Sequence, residues 1–236
     1  MQLFFTINSP HQWVLTDHKS SADSGVVDRL DELPVTVGKP KLVVVVPGEQ
    51  VVTRTADIPA TSTRKQLAAI PYAVEEELAD SVDVMHFALL QGAGDGPLSF
   101  AYVSRNTIND WLEQLVLAGI QPDAMLPDYL LLPRGDSDST CLVQDDSGRI
   151  LMRCSAHHGA VVDTDTLALW LQQQAADNAF EVGDEKLAAI LSGSGFRKVQ
   201  LRDAGSDIAD WLHEGHAPIT SNLLQGDYLP TQQHSS

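Results

Sequence analysis

The chain has 236 residues, 43% of them hydrophobic and 20% charged, which is the composition of a soluble globular protein of one or two domains and not of a disordered one. Its 32 acidic and 15 basic side chains leave a formal charge of −17. Phosphate binding releases counterions through Lys and Arg, so this balance excludes nucleic acid as a partner, and an anionic leaflet equally, while a basic protein surface is steered toward it.

Leu3 to Ile7 and Trp13 to Thr16 read as strands around a turn at Asn8-Ser9-Pro10. Residues 17–40 are polar and broken by Gly and Pro, with one short apolar piece at Val26 to Leu30. Leu42 to Val46 is a β-branched run stopped by Pro47-Gly48, the pattern of a strand covered on both faces. It is also the longest aliphatic run and far too short for the roughly 20 residues of a membrane span. Val51 to Thr55 follows at hairpin distance and is expected to pair with it.

Residues 62–80 read as a helix capped by Thr61 or Ser62, with Leu67, Ile70, Val74 and Leu78 as its buried stripe and Pro71 kinking or dividing it. Val84 to Leu90 and Ser99 to Ser104 are strands joined by a glycine-rich loop. A second helix starts at a cap on Asn106, buries Ile108, Trp111, Leu112, Leu115 and Val116, and ends at Gly119. Proline bounds short pieces through residues 121–133, and Arg134 to Ser139 reads as a linker.

Cys141 to Gln144 and Ile150 to Arg153 flank a Gly-bearing turn as a hairpin, and Ala160 to Val162 adds a strand. Residues 164–176 form a third helix on Leu167, Trp170 and Leu171. Lys186 to Leu191 reads as a strand leading into Ser192-Gly193-Ser194-Gly195; Val199 to Leu201 is a short strand and Ile208 to Leu212 a short helix. No internal repeat is visible. The sum is a mixed α/β architecture.

Few constellations offer chemistry. The hairpin tip Asp145-Asp146-Ser147-Gly148 resembles the first phosphate loop of actin-like ATPases, with Asp146 and Gly148 in the key places, but such a tip is also what hairpin turns require. Gly193 and Gly195 resemble the glycine loop that packs on adenosine there, and no suitably placed Lys or second Asp accompanies them. No P-loop, Gly-x-Ser-x-Gly elbow or His-Glu-x-x-His occurs, so no catalytic set is expected. Cys141, Cys154, His157 and His158 match no zinc spacing, so neither metal nor cofactor is expected, and two cysteines fit a reducing cytosol. Glu75, Glu76 and Glu77 point different ways on a helix and cannot converge on one substrate; they are a solvated face or a docking surface for a basic partner.

Several stretches together resemble the type II secretion system protein L family. They are Val46-Pro47-Gly48-Glu49-Gln50-Val51, Ile70-Pro71-Tyr72-Ala73-Val74-Glu75-Glu76-Glu77-Leu78, and Val103-Ser104-Arg105 followed by Trp111-Leu112 and Ala118 to Asp123. Leu126-Pro127-Asp128, Leu131-Leu132-Pro133 and Asn222-Leu223-Leu224-Gln225-Gly226-Asp227-Tyr228 continue the series. The resemblance implies an actin-like, ribonuclease-H-related fold in three subdomains: residues 1–97, residues 98–140 with 216–230, and residues 141–215, before a disordered tail at 231–236. It implies a non-catalytic scaffold that binds the N-terminal region of the secretion ATPase (protein E) and links it, with protein M, to the inner-membrane platform. It further implies a homodimeric full-length protein on the cytoplasmic face of the bacterial inner membrane, anchored by a helix outside this chain. An actin-like nucleotide-binding ATPase and a pilus-assembly protein M relative are the alternatives.

Overall fold

The computed structural model describes residues 1–17, 20–35, 39–58, 62–78, 80–92, 97–134, 139–202, 205–214 and 221–230. Its first sheet is built on the valine run. Strand β4 (Lys41–Val46) lies between β1 (Gln2–Thr6) and β8 (Ala124–Pro127), parallel to both. That central place buries Val43, Val44, Val45 and Val46 to 2% exposure or less, as a strand with two covered faces requires. β2 (His11–Asp17) pairs antiparallel with β1, and β3 (Ser20–Val27) antiparallel with β2, giving the order β3-β2-β1-β4-β8.

The second five-stranded sheet repeats that connectivity. β9 (Thr140–Gln144), β10 (Ile150–Arg153) and β11 (Gly159–Val162) run antiparallel in sequence. β12 (Ala179–Val182) then joins β9 in parallel and β13 (Lys198–Leu201) joins β12, giving β11-β10-β9-β12-β13. Three meandering strands followed by two parallel ones, twice in one chain, make this the duplicated actin-like, ribonuclease-H-related architecture. The repeat lies in topology, not in residues.

A third sheet, β5-β7-β6, contains β5 (Val52–Ala56), β6 (Met85–Gln91) and β7 (Leu98–Ser104), all antiparallel. β5 therefore pairs with β7 and not with β4. A 3-10 turn at Gly48–Gln50, entered through Pro47, redirects the chain out of the first sheet. The boundary expected between residues 97 and 98 falls inside the β6–β7 pair, and β8 completes the first sheet from beyond it. Residues 135–138 of the expected linker and the tail at 231–236 lie outside the described residues.

Helix α1 (Thr63–Val74) runs through Pro71 and passes into a 3-10 turn at Glu75–Glu77. Helix α2 (Arg105–Leu117) has Ser104, not Asn106, at its N-cap position, and buries Ile108, Trp111 and Leu115 while Val116 stands 73% exposed. Gly119 takes φ 70° behind it, as expected of a left-handed C-terminal glycine. Helix α3 (Thr164–Leu171) is capped by Asp163, whose carboxylate accepts the Thr166 amide at 2.7 Å.

Lys186 to Leu191 is not a strand but part of α4 (Glu185–Gly193). Asp184 accepts the Leu187 amide at 2.8 Å as N-cap, and Leu187 and Leu191, one turn apart, bury one face. The strand is β12, whose Phe180 and Val182 are buried on one side. β3 carries no strand signal in its sequence, because Ser-Ser-Ala-Asp-Ser-Gly lacks the alternation of a half-buried strand; backbone pairing with β2 holds it. Helix α5 (Ile208–Glu214) ends the second half.

One core joins the two large sheets. Phe4, Val43, Val45 and Leu126 from the first pack with Leu130, Leu132, Val143 and Leu151, and with Ile208 and Trp211 of α5. Arg153 is buried beside it with its guanidinium donating to the carbonyls of Leu132, Ser155 and Ala156; burial lowers its pKa to about 10, with Arg134 acting in the same direction.

Candidate functional site

The tips of two equivalent hairpins, β1–β2 and β9–β10, meet at a cleft of about 400 Å³. Thr6, Asn8, Ser9, Pro10 and Gln12 line it from the first tip, and Asp145, Asp146, Ser147 and Arg149 from the second. Val45 to Pro47 line it from the end of β4, Glu49 and Asp128 from the 3-10 turns that follow β4 and β8, and Ser206, Ile208 and Trp211 from α5 and the residues just before it.

Asp145, not Asp146, organises the second tip. Its Oδ1 accepts from the Ser147 amide at 3.0 Å, the Ser147 hydroxyl at 2.7 Å and the Arg149 amide at 3.0 Å. Its Oδ2 accepts from Arg149 Nε at 2.9 Å. This is an Asx turn closed by Gly148 at φ 87°. Asp146 is exposed at the rim and makes no hydrogen bond among the described residues.

Arg149 is gripped on every side. Beyond Asp145, its Nη1 donates to Glu49 at 2.8 Å and its Nη2 lies 3.0 Å from Asp128. Burial pulls its pKa down, yet Asp128, Glu49 and Asp145 together raise it above the ordinary arginine value. Asp128 is itself buried, and that burial pushes its carboxyl up to about 7; Arg149 opposes the shift and Glu49 adds to it.

The motif Pro47-Gly48-Glu49 and the motif Leu126-Pro127-Asp128-Tyr129 meet here. The Gly48 amide donates to Asp128 Oδ1 at 3.1 Å, and a Cβ on Gly48 would overlap Tyr129, Asp128 and Val161. Only glycine admits that approach. Tyr129 is fully buried, donates its hydroxyl to the Val51 carbonyl at 3.2 Å, and burial raises its pKa. Nearby, the Thr53 hydroxyl bonds the Gly159 carbonyl at 3.0 Å and the Gly159 amide at 3.1 Å, tying the third sheet to the second.

The remaining expected site residues lie elsewhere. Gly193 ends α4 and Gly195 follows at φ 93°, so this loop follows a helix and not a strand; neither glycine lines the cleft. Glu75, Glu76 and Glu77 are exposed on the turn after α1, with Glu77 3.9 Å from Arg54. Cys141 is buried, Cys154 is half-buried, and the two form no disulfide with each other. His157 bonds the Ser221 hydroxyl at 2.7 Å and His158 the Thr53 hydroxyl at 2.9 Å. Among the described residues no group of three or more His, Cys, Asp or Glu is placed to hold a metal ion.

The segment at residues 222–228 is a clasp. The Asn222 side-chain oxygen accepts the Met125 amide at 2.9 Å, and the Leu223 amide donates to the Met125 carbonyl at 2.8 Å. His86 bonds the Leu223 carbonyl at 2.7 Å and stacks edge-on against Tyr228. The clasp so connects β8 of the first sheet to β6 of the third.

The chain matches the family described as Type II secretion system (T2SS), protein L over residues 6–231. It belongs to that family. The type II secretion system protein L of Pectobacterium carotovorum subsp. carotovorum is 28% identical over 193 residues, 79% of this chain and 44% of that relative. The protein L of Dickeya chrysanthemi is 31% identical over 126 residues, 53% of this chain and 31% of that relative. The chain thus spans well under two thirds of the length of these curated relatives.

Among solved structures, the cytoplasmic domain of EpsL, an inner membrane component of the type II secretion system of Vibrio cholerae, superposes with a TM-score of 0.71 at 20% identity, covering 96% of this chain and 98% of that one. A chain of the PilM–PilN type IV pilus biogenesis complex superposes with a TM-score of 0.58 at 13% identity, covering 94% of this chain and 97% of that one. At these identities the likeness is one of fold. No helix among the described residues is long and apolar enough to cross a membrane.

The sequence marked the second hairpin tip as the place to look, but not the roles of Asp128, Asp145, Arg149 or Trp211. Pro47-Gly48-Glu49 and Leu126-Pro127-Asp128 carried the signal as family marks; that they form one site needed the fold.

Proposed function

We propose that the chain is a non-catalytic scaffold of the type II secretion system. It binds the N-terminal region of the secretion ATPase (protein E) and, with protein M, links it to the inner-membrane platform. The observation that supports a scaffold over an ATPase is the state of Arg149. It is the one cation among the described residues lining the cleft, and three carboxylates already hold it. A nucleoside triphosphate needs cations or amide donors free to meet its charge. Family membership supplies the system in which the scaffold works.

Encounter with the ATPase is speeded by the acidic surface, with Glu75, Glu76 and Glu77 as one docking face. In the whole protein a membrane helix outside this chain holds the domain at the cytoplasmic face, as part of a homodimer. The fold shared with PilM keeps a second reading in view: a nucleotide-binding relative. Retention of the purified ATPase N-terminal region on the immobilised chain at low salt tests the first reading, and no retention overturns it. Heat on titration with Mg-ATP that disappears in Asp146→Ala would favour the second.

A further inference from the structure

The cleft between the two hairpin tips carries more than an absence of chemistry. Among the described residues four carboxylates line it, Glu49, Asp128, Asp145 and Asp146, against one guanidinium, that of Arg149. Three of the four are spent on that guanidinium, and Asp146 stands at the rim without a partner among the described residues. The field inside the cleft therefore favours a cation and opposes a phosphate chain.

A second observation is independent of charge. Trp211 lines the same cleft, is 2% exposed, and its indole Nε1–H has no hydrogen-bond partner among the described residues. A buried donor left unmade is rare and asks for an acceptor. Backbone carbonyls of an extended segment are such acceptors, and the apolar wall of Val45, Val46 and Ile208 beside Trp211 suits an aliphatic neighbour.

We propose that this cleft receives an extended segment of a partner protein that presents an arginine or lysine beside an aliphatic residue. The cationic head meets Asp146 and the outer carboxylates, and a main-chain carbonyl of the segment accepts from Trp211 Nε1. The proposal rests on the scaffold reading only in taking the ligand to be a protein.

The test uses the intact chain, labelled with nitrogen-15, and its indole N–H resonances. The sequence has 4 tryptophans, and Trp211→Phe identifies the cross-peak that matters. Three probes are titrated: acetyl-leucyl-arginine amide, its neutral isostere acetyl-leucyl-citrulline amide, and Mg-ATP. The arginine peptide should move the Trp211 peak, with the citrulline peptide about threefold or more weaker, the order of one ion pair at an exposed carboxylate. Asp146→Asn, at an exposed position free of internal bonds, should weaken the arginine peptide about threefold or more, and the loss should shrink at high salt.

Equal binding of the two peptides, no movement of the Trp211 peak with either, or movement with Mg-ATP alone overturns the proposal. Failure of the ATPase region to bind in the retention experiment would leave these titrations unchanged, so the two readings fail separately.

Discussion

Gln225 satisfies both main-chain groups of Leu89: its Oε1 accepts the Leu89 amide at 3.1 Å and its Nε2 donates to the Leu89 carbonyl at 2.8 Å. Leu89 stands where the β6–β7 register shifts, so the side-chain amide does there what a neighbouring strand would do. The same Nε2 donates to the Asn222 carbonyl at 2.8 Å, which fixes the clasp to itself. Gln225→Ala should therefore destabilise the domain by about 2 kcal/mol, because it strands a donor and an acceptor on a part-buried strand. Urea unfolding measures this; an unchanged midpoint would mean that water replaces the amide at no cost.

Gly48 sits against Tyr129 and Asp128 with no room for a methyl group. Gly48→Ala should cost about 3 kcal/mol, the upper range of overpacking in a dense interior. Gly119→Ala is the control. It meets open space but needs φ 70°, so only the backbone penalty of about 1 kcal/mol remains. Thermal unfolding of the two variants should rank them in that order.

The two aspartates of the second tip should separate cleanly. Asp145→Ala removes four hydrogen bonds to Ser147 and Arg149 and should cost about 2 kcal/mol. Asp146→Ala should stay within about 0.5 kcal/mol, as surface changes do. Paired denaturation curves check both, and a larger loss at Asp146 would reverse the assignment.

Asp128 gives a dependence on pH with a definite sign. Its folded pKa, about 7, lies above the ordinary 3.8, so the folded state holds a proton that the unfolded state has released. The stability it contributes is full below about pH 4 and is lost as pH rises toward 7. Burial lowers the pKa values of His86, His157 and His158, and these groups act the other way below the usual histidine range. The difference between wild type and Asp128→Asn isolates the aspartate: wild type should lose stability relative to the variant between pH 4 and 7, by a few kcal/mol at most. A parallel pair of curves would place Asp128 among ordinary ionised carboxylates.

What the sequence disclosed, and what it withheld, follows from range. β4 was readable because four successive buried valines leave a central strand as the natural reading. The β9–β10 hairpin was readable from its turn chemistry. α4 resembles a strand in sequence because Lys186 to Leu191 is apolar without a clear period, and its cap, Asp184, lies outside the run. The duplication was invisible because Gln-Leu-Phe-Phe-Thr and Thr-Cys-Leu-Val-Gln share a place in a sheet and no residue pattern. Within the site, Asp145 and Arg149 lie four positions apart, but Glu49 and Arg149 are separated by 100. Only folding puts three carboxylates on one guanidinium.

The most direct test of the scaffold account is one calorimetric titration of the pure chain with the secretion ATPase's N-terminal region, in buffer containing Mg-ATP. Saturable heat that weakens with added salt, with no phosphate released from ATP by the chain alone, is the predicted result. Silence toward the ATPase region, together with phosphate release that vanishes on changing Asp146, would contradict it.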